Sequence, residues 1–243
     1  MDLKIGERLD PRRRPLLTLI RWIEGQVLLI LLAAAAALWA FLEIADEVSE
    51  GETEDLDHRL LLSLRNPADP NDPLGPGNLE EALRDVTALG GFTVLTLVTV
   101  AGALFFLFHR KRLHAAVLVG TVLTAQFASS FTKALYDRPR PDLVSHGSYV
   151  YSGSFPSGHS MLSAVTYLTL AMLIASLETR RATKILVYVL AMLLLIAVGL
   201  SRIYLGVHWP SDVLGGWTLG AAWSLVAWIM LLKLGGRTAP PTD

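Results

Sequence analysis

An all-α fold that crosses a lipid bilayer several times is the class this sequence predicts, and three observations predict it. Six runs are long and apolar enough to span a membrane, which takes about 20 helical residues. The chain is 52% hydrophobic and only 18% charged, with a mean hydropathy of +0.46, whereas soluble domains carry about 25% charge. Lys and Arg are also distributed unevenly between alternate connections, as membrane insertion requires.

The first run, Trp22–Ile44, follows Arg12-Arg13-Arg14. Cations ahead of an apolar stretch also mark signal peptides, but their apolar core is only about 7–15 residues. No small-residue cleavage pattern follows at a suitable distance, so the run reads as a retained anchor. The other five are Leu89–Phe108, Leu113–Leu135, Gly158–Leu177, Thr183–Ile203 and Ser211–Leu234. In hydrocarbon an open segment can satisfy its backbone polar groups only as a helix. The sequence therefore predicts a polytopic membrane protein, a six-transmembrane-helix bundle forming one membrane domain over residues 1–243.

Residues 45–88 form a long connection between the first and second spans. Eight acids and no Lys or Arg lie between Glu43 and Asp57. Leu56–Leu64 has the pattern of a short amphipathic helix, and Leu79, Leu83 and Val86 mark another. Between them, the prolines of Asn66–Pro76 predict a loop. The segment reads as a connector with short interfacial helices, or as a lid beside a lipid-binding mouth.

With the N-terminus cytoplasmic, fourteen of the 21 Lys and Arg fall inside and seven outside, in accord with the positive-inside rule. Both termini are then cytoplasmic and residues 45–88 are extracytoplasmic. Four of the seven outer cations, Lys133, Arg138, Arg140 and Arg202, lie in or beside three polar clusters. The same topology brings all three clusters, within residues 133–212, to the outer face.

Composition excludes other classes. A net charge of −1 argues against nucleic acid as a partner. The absence of cysteine excludes disulfides and thiolate metal sites.

The clusters carry the chemistry. Pro156-Ser157-Gly158-His159 opens a helix, where backbone N–H groups and the helix dipole form an anion site. Gly158 lets an oxyanion approach closely, with His159 beside it. Lys133 and Arg140 add cations, and prolines stiffen the segment that holds Arg140. Arg202 ends a span, His208 follows in a tight loop, and Pro210 starts the last helix with Asp212 in its first turn. Four residues apart, Asp212 can reach one ring nitrogen of His208, fix the tautomer, and leave the other nitrogen as a nucleophile. Each piece also has an ordinary structural reading: Ser157 as an N-cap, Lys133 as a snorkelling side chain, Arg138–Pro141 as a solvated basic loop. A metal site would need a third ligand such as His146 or His159, and the surrounding cations oppose it. No cofactor is expected.

Lys133-x6-Arg140-Pro141, Pro156-Ser157-Gly158-His159 and Ser201-Arg202-x5-His208-x3-Asp212 together resemble the three-part signature of the type 2 phosphatidic acid phosphatase superfamily, which shares its helical core with vanadium haloperoxidases and bacterial acid phosphatases. The resemblance covers roughly Lys133 to Asp212, and the chain up to about Val86 carries no family motif. It implies that His208 attacks phosphorus to form a phosphohistidine, that Asp212 orients His208, and that His159 protonates the leaving alkoxide and then activates water. It implies that Lys133, Arg140, Arg202, Ser157 and the Gly158 N–H hold the phosphoryl oxygens. Arg138 is accessory, either a further phosphate contact or a salt bridge to Asp137 or Asp142. Fixed cations can serve phosphoryl transfer where other enzymes use Mg²⁺.

The expected activity is metal-independent hydrolysis of a lipid phosphate or pyrophosphate at the extracytoplasmic face of a bacterial inner membrane. The expected partners are the bilayer and that lipid. Undecaprenyl pyrophosphate, or a broad specificity including it, is the preferred substrate. Phosphatidylglycerophosphate, phosphatidic acid and lipid A phosphates are the alternatives. A lipid phosphotransferase would use the same intermediate, and a non-enzymatic lipid-phosphate binder would not need His159, His208 and Asp212 together. Oligomeric state is not legible.

Overall fold

The structure, a computed structural model, describes residues 14–142 and 153–235, with side chains from residue 25 onward. The N-terminal arginine cluster as side chains, His146 and Arg237 therefore lie outside the described residues. The elements in order are α1 (Arg14–Glu50), α2 (Glu54–Leu62), β1 (Arg65–Asn66), β2 (Asp69–Pro73), α3 (Gly77–Ala88), α4 (Phe92–Phe108), α5 (Arg112–Tyr136), α6 (Gly158–Leu177), α7 (Arg181–Tyr204) and α8 (Pro210–Gly235). Among the described residues five helices are long and apolar enough to cross a bilayer, and α3 with α4, bent by 47°, makes a sixth span when taken as one. The chain is a predominantly helical, multi-pass membrane protein of the all-α class.

Three local features differ from the sequence expectation. Helix α1 continues past Ile44 to Glu50, because apolarity reports where lipid ends and backbone hydrogen bonding reports where a helix ends. The second span does not start cleanly at Leu89. Leu89, Gly90 and Gly91 separate α3 from α4, and a side chain at Gly90 would strike Val198 and the His159 backbone. The Leu89 carbonyl exposed by the break accepts a hydrogen bond from the Tyr167 hydroxyl at 2.6 Å, which satisfies a group that helix ends leave unpaired. The stretch Asn66–Pro76, expected as a loop, holds the antiparallel pair β1–β2. Prolines are tolerated there because an edge strand can spare an N–H.

Helix α6 is the centre of the bundle, packed against α4, α5, α7 and α8. It is apolar or small on all sides, as a fully enclosed helix must be, and most of its residues are buried. Helix α1 lies along α8. Large apolar side chains of α1, α4, α5 and α7 remain exposed on the periphery, where lipid rather than water is the solvent.

Two glycines set the α6–α8 distance. A Cβ at Gly216 would lie 2.7 Å from the Ser157 carbonyl oxygen, and one at Gly220 would lie 2.7 Å from that of Met161. This Gly-x3-Gly ridge lets the two backbones nearly touch, as small residues do between membrane helices. It also fixes the start of α6 against the start of α8.

Candidate active site

The residues before α6 are seated by Phe155. Its ring stacks on Phe41 of α1, centroids 5.7 Å apart, and meets the Tyr136 ring of α5 edge-on at 5.2 Å. Gly215 of α8 leaves room for it. One residue earlier, the Ser154 N–H donates to the Arg138 carbonyl at 2.8 Å. Helix α5 closes with Asp137 in the left-handed region, φ 37°, its N–H donating to the Lys133 carbonyl. That reversal brings Arg138, Pro139 and Arg140 back over the bundle end.

His208 is buried between these parts. Its Nδ1 lies 3.2 Å from Asp212 Oδ2, and its Nε2 lies 3.2 Å from the Arg140 guanidinium. A carboxylate can only accept and a guanidinium can only donate. Nδ1 therefore carries the proton, and Nε2 presents its lone pair. Burial pushes the imidazole pKa down to about 3; Asp212 opposes the shift, and the charges of Arg202 and Lys133 reinforce it. The ring is neutral at pH 7. Arg140 also donates to the Val207 carbonyl at 2.9 Å, and burial lowers its pKa as well.

Asp212 is held on every side. Oδ2 also accepts from the Trp209 N–H at 2.9 Å and from the Ser154 hydroxyl, and Oδ1 accepts from Arg138 at 2.8 Å. Its own backbone carbonyl accepts from the Ser157 N–H at 2.9 Å. The starts of α6 and α8 are thus stitched together.

The second group lines a cavity of about 610 Å³ that includes Lys133, Gly158, His159, Ser129, Asp137 and Gly153. Lys133 Nζ donates to the Gly153 carbonyl at 2.8 Å. A Cβ on Gly158 would sit 3.4 Å from Lys133 Cε, so the lysine lies directly over the first turn of α6. The Gly158 and His159 N–H groups belong to that first turn, which has no intrahelical acceptor for them. Arg202, at the end of α7, donates to Thr87 of α3 at 3.2 Å, while its buried Nε has no protein partner.

Two sequence expectations change in detail. The Ser157 N–H is committed to Asp212, and its hydroxyl caps α6 by accepting from the Ser160 N–H at 3.4 Å and hydroxyl at 3.0 Å. Only the hydroxyl proton remains for a phosphate. Arg138 pairs neither with Asp137 nor with Asp142. Its two Nη atoms lie 2.8 Å from Asp212 and 2.8 Å from Asp57, because the αL turn at Asp137 aims residue 138 inward.

Sequence reasoning missed three members of this network. Asp57 on α2 accepts from the Ser211 N–H at 2.9 Å and the Ser211 hydroxyl at 2.5 Å, so it caps α8. Ser154 and Ser211 complete the set. The acid run that includes Asp57 does not single that residue out, and serine outside a motif gives no signal.

Residues 114–235 match the PAP2 superfamily. The chain is 37% identical to phosphatidylglycerophosphatase B of Bacillus subtilis over 147 residues, covering 58% of this chain and 70% of that protein. It is 28% identical to an undecaprenyl-diphosphatase of Sulfolobus acidocaldarius over 137 residues, 54% of this chain and 59% of the other. The crystal structure of a transmembrane PAP2-type phosphatidylglycerolphosphate phosphatase from Bacillus subtilis superposes with a TM-score of 0.70 at 26% identity, covering 86% of this chain and 98% of that one. A matched helical core, with the three motif clusters gathered at one end of it, makes this chain a member of the PAP2 superfamily.

Proposed function

We propose that the chain is a membrane lipid phosphatase working through a phosphohistidine, with its site at the extracytoplasmic face of a bacterial inner membrane. The observation that carries the reading is the His208 ring, neutral and held by its two nitrogens between Asp212 and Arg140. His208 Nε2 attacks phosphorus as the ester oxygen departs, and His159 gives that oxygen its proton. His159 then takes a proton from water, which displaces phosphate from His208. Asp212 stabilises the positive charge on the ring between the two steps. Arg140 turns from Nε2 to a phosphoryl oxygen as substrate enters. Lys133, Arg202, the Ser157 hydroxyl and the Gly158 N–H hold the remaining charge.

A lipid suits the cavities. The cavity beside Lys133 and His159 shares Phe92, Gln126 and Leu162 with an apolar one of about 230 Å³ lined by Leu95, Val119 and Leu123. A headgroup in the first can keep its tail in the second, between α4 and α5. Undecaprenyl pyrophosphate, alone or within a broad specificity, remains the preferred substrate, since a pyrophosphate would engage more of the cations. Phosphatidylglycerophosphate is the second reading, favoured by the likeness to the Bacillus subtilis phosphatase. Resolution of the intermediate by a lipid alcohol instead of water would make the chain a phosphotransferase.

The test is phosphate release from purified undecaprenyl pyrophosphate, phosphatidylglycerophosphate, phosphatidic acid and lipid A in detergent, with His208→Ala as control and with and without EDTA. Release by the wild type alone, insensitive to EDTA, is expected. Equal release by His208→Ala overturns the nucleophile assignment. A reporter fused after Arg237 is expected in the cytoplasm.

A further inference from the structure

We infer that Asp57, on the segment between the first two spans, is a positioning residue for the His208 nucleophile and acts through Arg138. The inference rests on the phosphatase reading above. Asp57 is 1% exposed, yet it stands on a short helix whose neighbours Leu56 and Leu60 are exposed. A buried carboxylate persists only when paired and hydrogen-bonded, and Asp57 has both. Its Oδ1 accepts from the Ser211 N–H in the first turn of α8. Its Oδ2 accepts from the Ser211 hydroxyl and from Arg138 Nη2.

Arg138 then reaches the nucleophile's partner. Its Nη1 donates to Asp212 Oδ1 at 2.8 Å and to Ser211 Oγ at 2.7 Å, while Thr53 Oγ1 lies 3.2 Å from Nη2. The sequence of contacts is Asp57, Arg138, Asp212, His208, with charges alternating along it. The guanidinium has one edge on each carboxylate. With both present it is fixed in plane and its charge is shared. Without Asp57, one edge of a nearly buried guanidinium loses its anion, and the whole cation is free to draw Asp212 toward itself. Asp212 Oδ2 then leaves its 3.2 Å contact with Nδ1, and the ring loses the hydrogen bond that fixes its tautomer. Trp209 braces the assembly from outside. Its indole N–H donates to the Pro139 carbonyl at 3.1 Å, His58 of α2 lies against its ring at 4.7 Å, and Arg138 lies 5.8 Å from the ring centre.

No phosphate-holding group touches Asp57, so the expected signature is kinetic. Asp57→Asn keeps the shape and removes the charge. It should lower kcat about tenfold to a hundredfold, by analogy with the loss of a group that orients a metal's ligand, and leave KM within about twofold. Asp57→Glu should restore part of the loss. After Arg138→Gln, Asp57→Asn should lower kcat no further, since groups acting as a unit are not additive. Ser211→Ala, which removes one of the shared links with a small change, is the second variant should Asp57→Asn prove unstable to heating in detergent; it should lower kcat and spare KM. The assay is phosphate release from the lipid that the wild type hydrolyses best. Full kcat in Asp57→Asn, or in a folded Ser211→Ala where the first does not fold, overturns the inference. So do losses that multiply in the Asp57→Asn, Arg138→Gln double variant. In each of those cases the wild type still releases phosphate and the phosphatase reading stands; no release by the wild type overturns both.

Discussion

Arg140 Nη1 lies 3.2 Å from His208 Nε2, so the lone pair proposed to attack phosphorus is already covered by a cation proposed to bind its oxygens. The two functions compete for one N–H until a phosphoryl oxygen draws it away. Nη1 makes the contact to Nε2 and the one to the Val207 carbonyl, and a lysine, one bond shorter and without the planar guanidinium, does not bring its nitrogen to the same place. Arg140→Lys is therefore expected to lower kcat/KM by about 10²–10³, the range for loss of one oxyanion donor. Steady-state phosphate release checks it; an unchanged kcat/KM removes Arg140 from the site.

Asp212→Asn should reduce kcat by about 10⁴, because an amide can present its NH₂ to Nδ1 and select the wrong tautomer. The variant should also melt earlier, since Arg138, Ser154 and Trp209 all use this carboxylate. Kinetics and a melting curve in detergent read the two effects separately. A variant with wild-type kcat is incompatible with the proposed role.

Gly216→Ala and Gly220→Ala should each destabilise the protein by about 1–3 kcal/mol, as overpacking does. The added methyl would stand 2.7 Å from a backbone oxygen of α6 in either variant, and backbone cannot move aside as a side chain can. Gly216→Ala should cost activity as well, because its contact is the carbonyl of Ser157. Thermal midpoints matching the wild type in both variants would mean that α6 and α8 sit farther apart than described.

The neutral imidazole of His208 links stability to pH. Its pKa is about 3 in the folded protein against an ordinary 6.5. Between those values the unfolded chain holds a proton that the folded chain does not. Stability therefore rises with pH across that window, and falls as pH drops from 6.5 toward 3. Melting curves from pH 7 to pH 4.5 should show a shallower decline for His208→Gln than for the wild type. Identical slopes would place the ring in water.

The spans and the motif positions were legible because both are written in local patterns. Apolar length marks a span, and the four-residue spacing of His208 and Asp212 needs only one turn of chain to bring them together. The structure gathers Lys133, Arg140, His159, Arg202, His208 and Asp212 at one end of the bundle, and their roles rest on the proposal above. The pairing of Asp57 with Ser211 was not legible. These residues are 154 positions apart, and one acid among eight carries no mark of burial. The sequence offers Arg138 a phosphate or its neighbours Asp137 and Asp142, whereas the left-handed turn sends it to partners on α2 and α8. The bend near Gly90 was hidden because Leu89-Gly90-Gly91 interrupts neither the apolar run nor its length.

The Leu89–Gly91 bend limits how this scaffold can be re-engineered. Helix α3, just before it, carries Thr87, which anchors Arg202, and Gly90 itself nests against His159. Splicing a relative's 45–88 segment into this chain would exchange Thr87 and leave Gly90 in place. Such a hybrid would keep every motif residue and still hold Arg202 differently. A seam placed beyond Gly91, with the matching ends of α6 and α7 taken from the same donor, avoids that mismatch.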